Sequence, residues 1–259
     1  MKIVIFSGTT EGRELSQLLT DAGAEVTVCV ASEYGAEEQG RVSGAEIRTG
    51  PLSAEEKRDL LRDKAICVDA THPYAVHVTA SVREACREAG VEYLRLLRPP
   101  SEAGGAHAFE TAEAAAAWLA GQEGRILLAT GTRELAAFRR LDPERLVPRV
   151  LPSCEGISAC EAAGIPHRNI IAMQGPFTRE LNAALIRQYN IRFVVTKDGG
   201  APGGFPEKAE AAAETGAQLV VLRRPDECGL PFQEVLNQCM MRLRTANIMN
   251  VPIGTGGEK

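Results

Sequence analysis

Two stretches of this 259-residue chain place nearly the same chemistry at the same kind of junction. In VIFSGTTEGRELSQLL, residues 4–19, an apolar run ends at Ser7, and Gly8, Thr9, Thr10, Glu11, Gly12 and Arg13 precede an amphipathic segment. In ILLATGTRELAAF, residues 126–138, Thr130, Gly131, Thr132, Arg133 and Glu134 repeat that order. A strand that turns through glycine into a helix leaves the first helical amides without intrahelical acceptors. Together with the helix dipole they favour an anion such as a phosphate. Arg133 adds a planar cation suited to carboxylate or phosphate. Both patterns are also satisfied by a threonine cap on a solvated helix, and the first, with two glycines, falls short of the G-x-G-x-x-G dinucleotide fingerprint.

Three further strand ends carry polar groups. Asp69-Ala70-Thr71-His72-Pro73-Tyr74-Ala75 follows the apolar ICV. There Pro73 pre-sets a first helical turn, and His72 can donate a proton, bond a ligand or simply hold the turn. His72 and His77 are five apart and would not share a helix face, so no metal site is expected. Met173-Gln174-Gly175-Pro176-Phe177-Thr178 ends in a good N-cap, Thr178. Lys197-Asp198-Gly199-Gly200-Ala201-Pro202-Gly203-Gly204 puts four glycines between FVVT and PEKAEAAAE. That much flexibility costs backbone entropy and suits close approach of the backbone to a ligand. Lys197, Glu207 and Lys208 are expected to place charge at that rim.

Short β-branched runs alternate with longer Ala/Leu/Glu/Arg segments of helical period, which predicts parallel βαβ units and an α/β class. In the first half strands are expected near 2–6, 25–31, 45–49, 66–69 and 92–96, with helices near 11–22, 53–63 and 74–89 and a loop over 33–44. RPPSEAGGAH, 98–107, reads as a boundary because prolines interrupt helix and inner strand alike. Beyond it strands are expected near 107–110, 125–130, 146–150, 169–173, 192–196 and 218–222, and helices near 111–120, 132–140, 154–163, 178–188, 205–215 and 231–244. The expected architecture is two Rossmann-like domains, 1–99 and 100–248, each with a parallel sheet flanked by helices, and a flexible tail at 249–259. Ligands in such sheets bind beyond the carboxyl ends of the strands, so a ligand cleft between the domains is expected.

The formal charge of −5 argues against general attraction to nucleic acid or anionic membrane, which need a concentrated basic surface. An acidic ligand must meet locally clustered cations. The seven cysteines are an odd number without a C-x-x-C pair, and several sit in apolar runs where a thiol packs as a small hydrophobe, which reads as a reducing cytoplasm. No apolar run approaches the ~18 residues of a membrane span, and MKIVIF leads into a folded pattern without signal-peptide features.

SGTTEGREL, DATHPYA, ATGTREL, MQGPFTRELN and KDGGAPGGFPEKAEAA, in this order over most of the chain, resemble the precorrin-6A reductase family of cobalamin biosynthesis, including its cobalt-precorrin-6A counterpart. Ser7 stands where the family often has glycine, and Gly199 where it often has serine. The resemblance implies a two-domain reductase that uses NADPH to reduce one double bond of a corrin precursor, with hydride to C19 and a proton to C18. Under it, Gly8, Thr9, Thr10, Glu11 and Gly12 are expected at the pyrophosphate, with Ser32 and Thr71 also at the cofactor. Glu33, beside Ser32, opposes a cofactor phosphate, so NADPH over NADH rests on the resemblance. Arg13, Thr130, Arg133, Gln174, Asp198 and Gly200 are expected at the substrate, and His72, Tyr74 or Lys197 as proton donor. The competing readings are a tetrapyrrole methyltransferase or lyase, the methyltransferase needing S-adenosylmethionine, and a two-lobed binding protein, which would require export.

Overall fold

The computed structural model describes residues 1–40, 42–98, 106–200 and 203–249. The chain forms two compact units, one made of the residues up to Arg98 together with those from Asp226 onward, the other of the stretch between. The boundary read at 98–107 lies almost wholly outside the described residues, as does the expected tail from 250 onward.

The first unit contains β1 (Lys2–Ser7), α1 (Thr10–Asp21), β2 (Glu25–Val30), α2 (Glu33–Gln39), β3 (Glu46–Thr49), α3 (Ala54–Leu61), β4 (Ile66–Ala70), α4 (Val76–Ala89) and β5 (Glu92–Arg95). Its sheet is all parallel in the order β3-β2-β1-β4-β5. Parallel strands covered on both faces must be apolar throughout rather than alternating, and IVIF in β1 is. Ile3 and Ile5 enter the core with Leu15 and Leu19 of α1, while Val4 and Phe6 enter the opposite core with Leu61 of α3 and Val82 and Cys86 of α4.

The second unit runs β6 (His107–Phe109), α5 (Ala112–Ala120), β7 (Arg125–Ala129), β8 (Leu146–Val150), α6 (Cys154–Ala162), β9 (Ile171–Ala172), α7 (Arg179–Gln188), β10 (Ile191–Lys197), α8 (Phe205–Thr215) and β11 (Gln218–Leu222). Its parallel sheet has the order β6-β11-β10-β7-β8-β9. Leu127, Val147 and Val194 pack toward α7 and α8, whereas Ile126, Leu128 and Phe193 pack toward α5 and α6.

Four expectations are corrected. The loop expected over 33–44 contains α2, whose EYGAEEQ lacks an apolar stripe and buries only Gln39; Ser32 starts it by accepting the Gly35 amide at 3.1 Å. The helix expected over 132–140 is a single 3₁₀ turn, Leu135–Phe138, because Gly131 takes φ +76° and the chain closes i→i+3 bonds from Leu135 to Thr132 and from Ala137 to Glu134. The strand expected at 169–173 shrinks to Ile171–Ala172 after a 3₁₀ turn at His167–Asn169. Finally, α9 (Phe232–Met249) outlasts the expected 231–244 and returns to the first unit. Its Val235, Cys239 and Leu243, spaced four apart, pack against Ile3, Ile5, Leu15 and Leu19. The division at 99/100 by chain order therefore differs from the compact units. Among the described residues no helix is long and apolar enough to cross a membrane.

Candidate functional site

In the first unit the order β3-β2-β1-β4-β5 reverses direction between β1 and β4, the crevice where such sheets bind ligands. The register pairs Phe6 with Asp69 and Ser7 with Ala70, which puts the Gly8 loop beside the His72 loop. A Cβ at Gly8 would lie 3.3 Å from the His72 amide nitrogen, and at Gly12 only 2.8 Å from Ala70 Cβ and 2.9 Å from Ser7 Oγ. Gly12 is thus required for the close approach of α1 to β4, and a side chain at Gly8 would press on the His72 loop. Thr9 caps α1: its Oγ1 accepts the Gly12 amide at 3.2 Å and donates to the Ala70 carbonyl at 3.1 Å. The amides of Thr10 and Glu11, ahead of that bond, have no acceptor among the described residues. Glu11 itself is engaged, since Arg98 donates to its carboxylate at 2.8 Å.

The other expected groups of this unit divide. Arg13 donates to the Glu38 carbonyl at 2.7 Å, so it holds the end of α2 as well as facing solvent. Ser32 is exposed at the start of α2, after β2, with its oxygen used as a cap. Thr71 is buried, and its hydroxyl donates to Asp69 Oδ1 at 2.6 Å with Thr79 Oγ1 3.1 Å away, a structural setting for an expected cofactor contact. His72 Nδ1 accepts the Tyr74 amide at 3.4 Å, and the two rings are 5.5 Å apart, so His72 and Tyr74 form one cluster at the crevice.

Beneath this loop lies a buried network that the sequence reading missed. Asp69 is fully buried and Arg95 is 3% exposed. Arg95 donates from Nη1 to the carbonyls of Asp69 (3.0 Å) and Thr71 (2.9 Å) and to Asp69 Oδ1 (3.2 Å), and from Nε to Glu227 at 2.9 Å. Tyr93 donates to the second Asp69 oxygen at 2.9 Å. Burial, followed by the Asp69 charge, pushes the Tyr93 phenol well above its ordinary value, so it stays a donor. The loop that carries His72 is therefore fixed by its own carbonyls.

In the second unit the direction changes between β7 and β10, and the loops after those strands carry Thr130, Arg133, Glu134, Lys197, Asp198 and Gly200. Lys197 and Glu134 join them by an ion pair at 2.7 Å. Thr130 is buried, and its Oγ1 has no partner among the described residues. Arg133 is exposed and makes no hydrogen bond or ion pair among the described residues. Asp198 is buried and accepts the amide of Gly200, which takes φ +69°. Gln174 is exposed on the loop after the edge strand β9, two strands from β7, so the topology leaves it out of this group. The resemblance between the two junctions is local only, since Arg133 precedes a four-residue 3₁₀ turn rather than a helix.

Lys208, expected at the rim, is buried instead, at 8% exposure. The signal was in the spacing: Phe205, Lys208, Ala211 and Ala212 fall on one face of α8. Arg149, unnoticed in the sequence, is a charge inside the buried strand LVPRV.

The model of the family described as Precorrin-6x reductase CbiJ/CobK matches residues 2–241 of the chain. A cobalt-precorrin-6A reductase of Methanothermobacter thermautotrophicus is 36% identical over 87% of this chain and 77% of its own length. One of Priestia megaterium is 33% identical over 94% of this chain and 100% of its own length. A solved structure titled CobK precorrin-6A reductase aligns with a TM-score of 0.75 at 25% identity, covering 92% of this chain and 95% of that one. Family model, relatives and fold agree along nearly the whole sequence: the chain belongs to the precorrin-6x reductase family and is a reductase of cobalamin biosynthesis.

Proposed function

We propose that NADPH is the reductant, that it binds at the β1/β4 crevice of the first unit, and that precorrin-6A or its cobalt form is held at the strand ends of the second. The observation that carries the cofactor placement is the close approach of the Gly8 loop to His72, beside α1 amides that have no acceptor among the described residues. Amides at a helix N-terminus offer a pyrophosphate its hydrogen-bond donors. When bound, the dinucleotide supplies a hydride, and the protein contributes orientation and electrostatics.

Gly8, Thr9, Thr10, Glu11 and Gly12 hold the pyrophosphate on this reading. Ser32 accepts the Gly35 amide and keeps its own proton to donate to a ribose phosphate, against the charge of neighbouring Glu33. Arg133 meets a carboxylate of the macrocycle, and Lys197, Asp198 and Gly200 shape the same strand ends. His72 is the first candidate for the proton. Its Nδ1 faces the Tyr74 amide, so Nε2 of the protonated ring is the atom that would deliver it. Tyr74 and Lys197 are the alternatives. The reaction is assigned to the cytoplasm on the cysteine pattern, with Cys29, Cys67, Cys86, Cys160 and Cys239 packed in the cores as thiols.

The test is the loss of nicotinamide absorbance with precorrin-6A and, separately, with cobalt-precorrin-6A, NADH serving as the control cofactor. Oxidation of NADPH that depends on one macrocycle is expected. Faster oxidation of NADH refutes the choice of cofactor, and no turnover with either macrocycle refutes the substrate.

A further inference from the structure

On the face of the second sheet covered by α7 and α8, two cations are buried together. Arg149 is 7% exposed and Lys208 8%. Arg149 lies over the Phe177 ring, its guanidinium carbon 3.9 Å from the centroid, and donates from Nη1 to Asn182 Oδ1 at 2.8 Å. Lys208 Nζ donates to the Gly203 carbonyl at 2.7 Å. Neither cation forms an ion pair with a carboxylate among the described residues. Glu207, beside Lys208 in the chain, buries Oε2 without a hydrogen-bond partner among the described residues.

An isolated buried charge is costly, and two like charges in one place cost more. Neutral acceptors such as an amide and a backbone carbonyl compensate them only in part. The guanidinium is clamped between a ring and an amide, which fixes the direction of its remaining N–H groups. Among the described residues those groups have no acceptor, yet they are not among the polar atoms sealed from solvent. Gly204, which starts α8 at φ +66°, borders the same groups: a Cβ there would be in ordinary contact with Lys208 Nζ at 3.6 Å and Glu207 Oε2 at 3.8 Å. A planar two-oxygen anion satisfies a fixed guanidinium fork and a lysine point charge together.

We infer that Arg149 and Lys208 form an oxyanion pocket within the second unit that takes a carboxylate of the substrate. The inference rests on the proposed macrocycle as substrate, and it adds to Arg133 a second anchor on a different part of the sheet. A cofactor phosphate shares the chemistry and is the other source of such an anion.

Equilibrium binding of NADPH and of cobalt-precorrin-6A is measured for the parent chain and for Lys208→Met. The expected result is macrocycle affinity weakened by about tenfold or more, as for loss of a charge-assisted contact, with NADPH affinity within about twofold. Equal macrocycle affinity in both proteins overturns the pocket. Weakened NADPH with unchanged macrocycle assigns the anion to the cofactor and overturns the substrate assignment. If the parent itself does not bind the macrocycle, the functional reading fails, and the pocket is tested apart from it with citrate. Citrate stabilising the second unit of the parent but not of Lys208→Met supports an oxyanion site, and no stabilisation of either overturns it. Should Lys208→Met not fold, Arg149→Lys, which keeps the charge and removes the fork, replaces it with the same readings.

Discussion

Replacing Lys208 by methionine should make the ligand-free protein more stable at neutral pH. Burial first, and the Arg149 cation second, lower the Lys208 amine from its ordinary 10.5 to about 8, while Glu207 acts in the opposite direction. Arg149, lowered by burial to about 10, remains charged. A depression of this size corresponds to a penalty of roughly 3 kcal/mol for carrying the charge in the folded state. Below pH 8 the penalty is present in full. Between about 8 and 10.5 the unfolded chain binds the proton that the folded chain has released, so parent stability rises with pH through that window. Methionine removes the charge, keeps the length of the side chain, and sacrifices the bond to the Gly203 carbonyl, worth about 1 kcal/mol. The net expectation is a gain of about 1–2 kcal/mol at pH 7 that shrinks above pH 8. Trp118, the only tryptophan, lies in the second unit with its ring edge-on to Phe193 at 5.7 Å, so its emission during urea denaturation follows the unit concerned. A variant less stable than the parent at pH 7, or a difference that stays constant as the pH is raised through 8, would refute the argument. A more stable protein that binds its macrocycle less well is what a binding site held at a cost in stability produces.

Gly12→Ala should force α1 away from β4, because the new Cβ meets Ala70 Cβ at 2.8 Å. A loss of about 1–3 kcal/mol together with weaker NADPH binding is expected in melting and fluorescence titrations, and unchanged values in both would remove the close-approach role. Arg95→Met leaves buried Asp69 without its cation and the carbonyls of Asp69 and Thr71 without a donor. About 3–5 kcal/mol should be lost, and a thermal midpoint near that of the parent would contradict it. Arg133→Ala, with no bond to lose among the described residues, should change stability by less than about 0.5 kcal/mol yet weaken binding of the macrocycle. Arg13→Ala should cost about 0.5–1 kcal/mol through its lost bond to Glu38. Denaturation and binding curves of the two arginine variants, compared directly, decide whether each side chain serves the fold or the ligand.

The sequence alone determined the class of fold and most element positions, because those follow from local periodicity and local chemistry. IVIF needs burial on both faces, Thr9 and Thr178 start helices by accepting amides of their own first turns, and Gly90 and Gly216 end helices at positive φ. The strand-end loops were legible for the same reason. Local reasoning failed where the signal is weak or shared: α2 has no apolar stripe, and ATGTREL copies the first junction without forming its helix. Tertiary structure decided which strands are neighbours, and so which loops meet at β1/β4 and β7/β10. It decided that α9, an ordinary stripe of Val235, Cys239 and Leu243, covers the first sheet rather than the second. It also assembled Arg95 with Asp69 and Glu227, and Arg149 with Phe177 and Asn182, from segments far apart in the chain. What a buried charge does is set by groups brought to it through folding, and spacing along the chain does not encode those distances.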